Sequence, residues 1–257
     1  MNYYITTLCI ENSKYNFVRN KWFQRTTEKC PDAEIIIFDY PNIEKDIWKV
    51  RLNDNLELSN KINKPIVMCD LDVIIEKNII PLINLPYDII ISQEIGGNKA
   101  YPADCSSILG FGVCMGFSIF KPDAFFILNR IKKCMDENIY NTQDDQVLLM
   151  KNIVNNSYYV DQKDIKLNNK SYICNIIYVL GIQICVLNPD IIIRDPILNI
   201  DQYANHINLD NVGGPIAFLR YFDEDLDNLP LTCRCGKTYL GDNSICKHIN
   251  LRNLHSS

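Results

Sequence analysis

Pro65-Ile66-Val67-Met68-Cys69-Asp70-Leu71-Asp72-Val73-Ile74-Ile75 is the stretch on which the reading of this chain turns. Apolar residues run into two carboxylates spaced i, i+2, and apolar residues follow. A short unbroken apolar run bounded by a turn signal, here Asn63-Lys64-Pro65, predicts a buried strand of a mostly parallel sheet. Aspartate is a poor strand former and is rarely buried without a partner. On an extended segment, residues i and i+2 point the same way, so Asp70 and Asp72 are placed to converge on one cation. A hard divalent ion with a preference for oxygen ligands suits them. In open α/β sheets, ligands also gather at the carboxyl ends of strands. The same Asp-x-Asp spacing recurs at Asp223, Asp225 and Asp227, where an acidic, solvated linker accounts for it.

Working outward, the N-terminal side supplies a β-α-β unit. Strands are predicted at 3–10, with Thr6 and Thr7 near its carboxyl end, and at 34–39. Between them, 11–30 reads as an amphipathic helix, with Tyr15, Val18, Trp22 and Phe23 near helical spacing. Asn12 or Ser13 is placed to cap it and Pro31 to end it. The crossover implies parallel strands. A helical pattern within 46–62 carries Lys49 and Arg51, which either face anionic ligand groups or sit as solvated cations.

On the C-terminal side, strands are predicted at 87–92 and 112–120, with a polar, flexible loop at 93–108. The glycines of the 112–120 strand imply close approach by a ligand or a neighbour. A helix is expected from Pro122 to about 138. Another runs from a Thr142 cap to 154, and its Asp144 and Asp145 have two readings. They complement the helix dipole, or one of them meets a substrate hydroxyl. The segment 160–196 turns β-rich, with short strands at 173–179, 184–187 and 191–193. Within 205–215, His206 is the only histidine before the tail and a candidate third metal ligand. Gly213-Gly214 would let backbone approach a phosphate.

The chain has 257 residues, enough for one large α/β domain or one domain with a small module. Its net charge of −5 argues against a nucleic-acid partner held through phosphates. No run is apolar enough to span a bilayer and no secretory leader is visible, which predicts a soluble, cytoplasmic protein with no membrane partner. The 11 cysteines then read mostly as reduced core residues, Cys69, Cys114, Cys174 and Cys185 among them.

Together, the β-α-β start, Asp70-Leu71-Asp72, the 112–120 strand, Asp144-Asp145-Gln146 and the late His206 resemble the GT-A fold glycosyltransferases. Motif order is shared over about residues 1–222. Within that group the chain looks most like the small soluble enzymes of giant DNA viruses that decorate capsid glycans. The resemblance implies a Rossmann-like α/β domain and transfer of a sugar from a nucleotide-diphosphate donor to a glycan or protein hydroxyl. Asp70 would contact the ribose or the metal, Asp72 would bind Mn²⁺ or Mg²⁺, and His206 would complete the ligands. An inverting enzyme would take Asp145, then Asp144, as its base. Thr6, Thr7, Lys49, Arg51, Asp70, Gly213 and Gly214 are the candidates for holding the nucleotide sugar. Two other readings stand beside this one: a metal-dependent nucleotidyltransferase, and a non-catalytic scaffold acting through its tail.

The tail, 223–257, begins as an acidic linker and then shows Cys233-x-Cys235 and Cys246-x-His248. Two close pairs of thiolate and imidazole ligands suit tetrahedral Zn²⁺, which would supply the folding energy of so short a segment. A redox pair at Cys233 and Cys235, or chance pairing in a Cys-rich chain, is the alternative. The order resembles the SWIM-type zinc finger, which implies a macromolecular partner.

Overall fold

The computed structural model describes residues 3–10, 16–41, 46–193, 202–206, 230–232 and 238–240. Its centre is an eight-stranded sheet in the order β2-β1-β3-β6-β5-β9-β8-β7. The strands are β1 (Tyr3–Ile10), β2 (Ala33–Tyr40), β3 (Ile66–Cys69), β5 (Ile89–Glu94), β6 (Gly112–Phe120), β7 (Tyr158–Leu167), β8 (Lys170–Val179) and β9 (Ile182–Leu187). From the pairings, β2, β1, β3, β5, β9 and β7 run one way, and β6 and β8 the other. This is the α/β, mostly parallel, helix-flanked architecture that the GT-A likeness implies.

Helices cover both faces because the strands alternate. Tyr3, Ile5, Val67 and Cys69 join one apolar core with Val18 and Trp22 of α1 (Asn16–Lys29) and with Leu82 and Ile83 of the short α3 (Ile80–Ile83). Ile66 and Met68 point to the opposite core. There they meet α2 (Ile47–Ser59), α4 (Ala103–Leu109), α5 (Phe125–Asp136) and α6 (Asp145–Val154). The candidate caps Asn12 and Ser13 lie outside the described residues.

The decisive stretch is not the single strand its apolar pattern predicts. β3 ends at Cys69, Asp70–Asp72 form a turn closed by Val73 N–H donating to Asp70 O (3.0 Å), and β4 (Val73–Ile75) enters a second sheet. That sheet is β10 (Ile192–Ile193), β11 (Ala204–His206) and β4, with His206 opposite Val73. Trp22 fixes the break from behind, its indole N–H donating to Val73 O at 3.0 Å.

Three other expectations change. The predicted loop at 93–108 holds a 3₁₀ turn at Gly97–Lys99 and most of α4. Thr142 does not cap α6. Asp144 does, accepting from Val147 N–H at 3.1 Å, while Thr142 Oγ1 accepts from Asp144 N–H. The β-rich half expected over 160–196 holds one strand more than the sequence pattern predicts, β7, which pairs along its whole length with β8. In the tail, β12 (Pro230–Thr232) and β13 (Thr238–Leu240) form an antiparallel pair. Among the described residues, no helix is long and apolar enough to cross a membrane.

Candidate metal centre and cleft

Three chain segments meet at the carboxyl edge of β3. The 70–72 turn presents Asp70 and Asp72, and antiparallel pairing of β11 with β4 sets His206 beside them. Each of the three offers one ligand atom within 4.8 Å of the others. Asp72 is 5% exposed and His206 likewise 5%, so neither is an ordinary surface group. His206 Nε2 lies 3.2 Å from Asp72 Oδ1. Burial alone pushes the imidazole down, but the facing Asp72 charge and the Cys114 sulfur outweigh it and raise it well above the usual histidine range.

β6 passes directly under this cluster. Asp70 N–H donates to Gly116 O at 2.8 Å. A Cβ at Gly116 would stand 2.5 Å from His206 Cε1 and 2.8 Å from Asp70 Oδ2, so only glycine leaves the ligands their places. The approach that the strand glycines imply is therefore real, and at Gly116 the neighbours are His206 and Asp70 of this cluster. Two carboxylates and an imidazole, gathered in a space kept open by a glycine, can hold a divalent metal ion.

The second feature is Arg51 of α2. Its Nη1 reaches Asp70 Oδ1 at 2.5 Å, and its Nη2 and Nε reach Asp145 Oδ2 at 2.5 and 3.1 Å. Asp145, in the first turn of α6, is 1% exposed. Burial pushes its carboxyl up further than Arg51 pulls it down, and Asp144 and Asp70 add to the rise. Asp145 Oδ1 has no hydrogen-bond partner among the described residues.

These groups line a cavity of about 620 Å³. Asp70, Asp72, His206, Arg51, Asp144 and Asp145 are all on its wall. Thr6, Thr7 and Lys49 are not. Thr6 Oγ1 donates to Asn55 Oδ1 at 2.7 Å, Thr7 is buried within β1, and Lys49 pairs with Asp136 at 2.8 Å. Gly213, Gly214, Cys233, Cys235, Cys246 and His248 lie outside the described residues, although β12 and β13 flank the first cysteine pair.

Sequence reasoning gave no site role to Cys114, Gln146, Tyr101 or Trp48, all of which line the cavity. Gln146 was legible as the polar residue following two acids at a helix start. Its Nε2 donates to Tyr101 O (3.0 Å) and its Oε1 accepts from Met115 N–H (3.2 Å), tying the 95–102 segment to β6 and α6. Tyr101 OH in turn donates to Asp144 Oδ2 at 3.1 Å. Cys114 sits in an apolar run and reads as core, with nothing local to mark its neighbour on β11.

No protein-family model and no curated protein sequence matches the chain. Solved structures do resemble it. Mouse xyloside xylosyltransferase 1, in its apo form, aligns at 10% identity and a TM-score of 0.49 over 82% of this chain and 99% of that one. A glycosyltransferase involved in the glycosylation of the major capsid of PBCV-1 aligns at 17% identity and a TM-score of 0.42, over 58% and 73%. The glycosyltransferase GlyE of Streptococcus pneumoniae TIGR4 aligns at 10% identity and a TM-score of 0.40, over 58% and 42%. These neighbours are glycosyltransferases, and what each one transfers is a property of that protein.

Proposed function

We propose that this protein is a metal-dependent glycosyltransferase, moving a sugar from a nucleotide-diphosphate donor to a hydroxyl of a glycan or protein acceptor. The observation that carries this is the convergence of Asp70, Asp72 and His206 on the wall of a cavity that also holds a buried Arg51–Asp145 pair. Asp70, Asp72 and His206 are the residues that would hold Mn²⁺ or Mg²⁺. The chemistry supplied at that site when loaded is neutralisation of the charge that builds on a departing nucleoside diphosphate.

The chain's own residues do the positioning. Arg51 fixes the carboxylate of Asp70 on the metal side and that of Asp145 on the opposite side with one guanidinium, so the two cannot drift independently. Because Arg51 holds Asp145 Oδ2, Oδ1 is the carboxylate oxygen left without a hydrogen-bond partner among the described residues. Gln146 and Asp144 hold Tyr101 at the rim of the cavity. Such preorganisation is what group transfer in line requires of a protein.

The test is product analysis with a panel of nucleotide sugars and Mn²⁺. Release of a nucleoside diphosphate together with a glycosylated acceptor supports the reading. Release of pyrophosphate from nucleoside triphosphates would replace it with nucleotidyl transfer. Absence of any metal-dependent nucleotide binding in the folded protein would leave the scaffold reading.

A further inference from the structure

We infer that Cys114 is a positioning residue for His206, setting which ring nitrogen faces the metal. The inference rests on the metal reading of Asp70, Asp72 and His206. The two nitrogens of His206 have different neighbours: Nε2 faces Asp72 Oδ1 at 3.2 Å, and Nδ1 faces Cys114 Sγ at 3.6 Å. Only a deprotonated nitrogen can ligate a metal, and in a neutral imidazole the other nitrogen then carries the proton. Nε2 is the atom on the carboxylate side, so it is the ligand, and the proton belongs on Nδ1. A buried N–H without an acceptor is costly. Cys114 is 3% exposed, and its sulfur is the acceptor placed for that proton.

The alternative arrangement does not serve a metal. If the thiol donated to Nδ1, the proton would sit on Nε2, directed at Asp72, and no lone pair would be left toward the carboxylates. The backbone leaves little freedom to rearrange. Cys114 is on β6, two residues before Gly116, whose missing Cβ already puts the ring against the strand. Metal-bound histidines commonly give their second N–H to a carboxylate or carbonyl. Here a sulfur takes that place, a weaker acceptor that stays compatible with the apolar surroundings of β6.

The test reads the proton directly. Long-range ¹H–¹⁵N correlation spectra of the full chain, with and without Mg²⁺, report the tautomer of each of its 3 histidines, and H248Q and H255Q assign them. The expected result is a Mg²⁺-dependent change at Nε2 of His206 with the proton on Nδ1. A Mg²⁺-dependent change with the proton on Nε2 would overturn the role of Cys114 and leave the metal site standing. No Mg²⁺-dependent change at His206 would overturn both. As a second measurement, C114V should weaken Mn²⁺ binding about 10–100-fold, the usual effect of losing an outer partner of a metal ligand. C114S, which keeps an acceptor, should restore most of the loss. Equal Mn²⁺ affinity in wild type, C114V and C114S would contradict the assignment.

Discussion

Arg51 and Asp145 form an ion pair, Nη2 to Oδ2 at 2.5 Å, in which the carboxylate is 1% exposed and the same guanidinium also reaches Asp70. The pair therefore ties the start of α6 to the metal edge of β3 through α2. Removing the cation alone should strand a buried charge. Arg51→Met is expected to cost about 3–5 kcal/mol in chemical denaturation, the usual effect of breaking a buried pair. Arg51→Met with Asp145→Asn should recover a large part of it. A single-variant loss under about 0.5 kcal/mol, the range of ordinary surface changes, would show that the pair is not desolvated in solution.

Gly116 should be intolerant of even one carbon. The Cβ of Gly116→Ala would press first on His206 and Asp70, so the damage should fall on the candidate metal site. Mn²⁺ affinity should drop by at least about tenfold, comparable with losing an outer-shell partner. The circular dichroism spectrum should stay that of the wild type. An alanine variant that binds Mn²⁺ as tightly as wild type would contradict the described packing.

Asp144 has two structural duties, capping α6 through Val147 N–H and receiving the Tyr101 hydroxyl. Asp144→Ala should cost about 1 kcal/mol for the cap. It should also speed amide exchange in the 95–102 segment, which Tyr101 anchors. Tyr101→Phe should reproduce the faster exchange without the cap penalty. Unchanged exchange in both would show that the rim is held by Gln146 alone.

Trp22 supports the break between β3 and β4 from the far face. Trp22→Phe removes the indole donor to the buried Val73 O and leaves it only the long Cys69 Sγ contact at 3.9 Å, at a cost of about 1–3 kcal/mol. Because Val73 directly follows Asp72, Mn²⁺ affinity should fall as well. Loss of stability with metal affinity intact would mean that the 70–72 turn keeps its shape without this anchor.

The sequence showed the strands of the β-α-β start and the 112–120 strand because each is a short, largely apolar run, and it showed Asp70 and Asp72 because carboxylates inside an apolar run demand a partner. It hid the break at Asp70–Asp72. The apolar residues on either side form one pattern, while the partner that draws β4 away is Ala204–His206, far along the chain. Helix α4 was hidden as well. It is only seven residues long, between Pro102 and Gly110, and its composition reads as a loop. His206 could be suspected but not placed, since only the antiparallel register opposite Val73 brings it to the carboxylates. Cys114 could not be told from the core cysteines, because what distinguishes it is a contact across two sheets.

On the proposed function, Asp70, Asp72 and His206 hold a divalent metal that binds the diphosphate of a nucleotide sugar. The most direct measurement is calorimetric titration of nucleoside diphosphates into the wild type and Asp72→Asn, each with Mn²⁺ and with chelator. The expected result is binding of one nucleotide family that requires Mn²⁺ and is lost in Asp72→Asn, while the variant's thermal midpoint without ligand stays near that of wild type. Nucleotide binding that persists in chelator, or that survives Asp72→Asn, would contradict it.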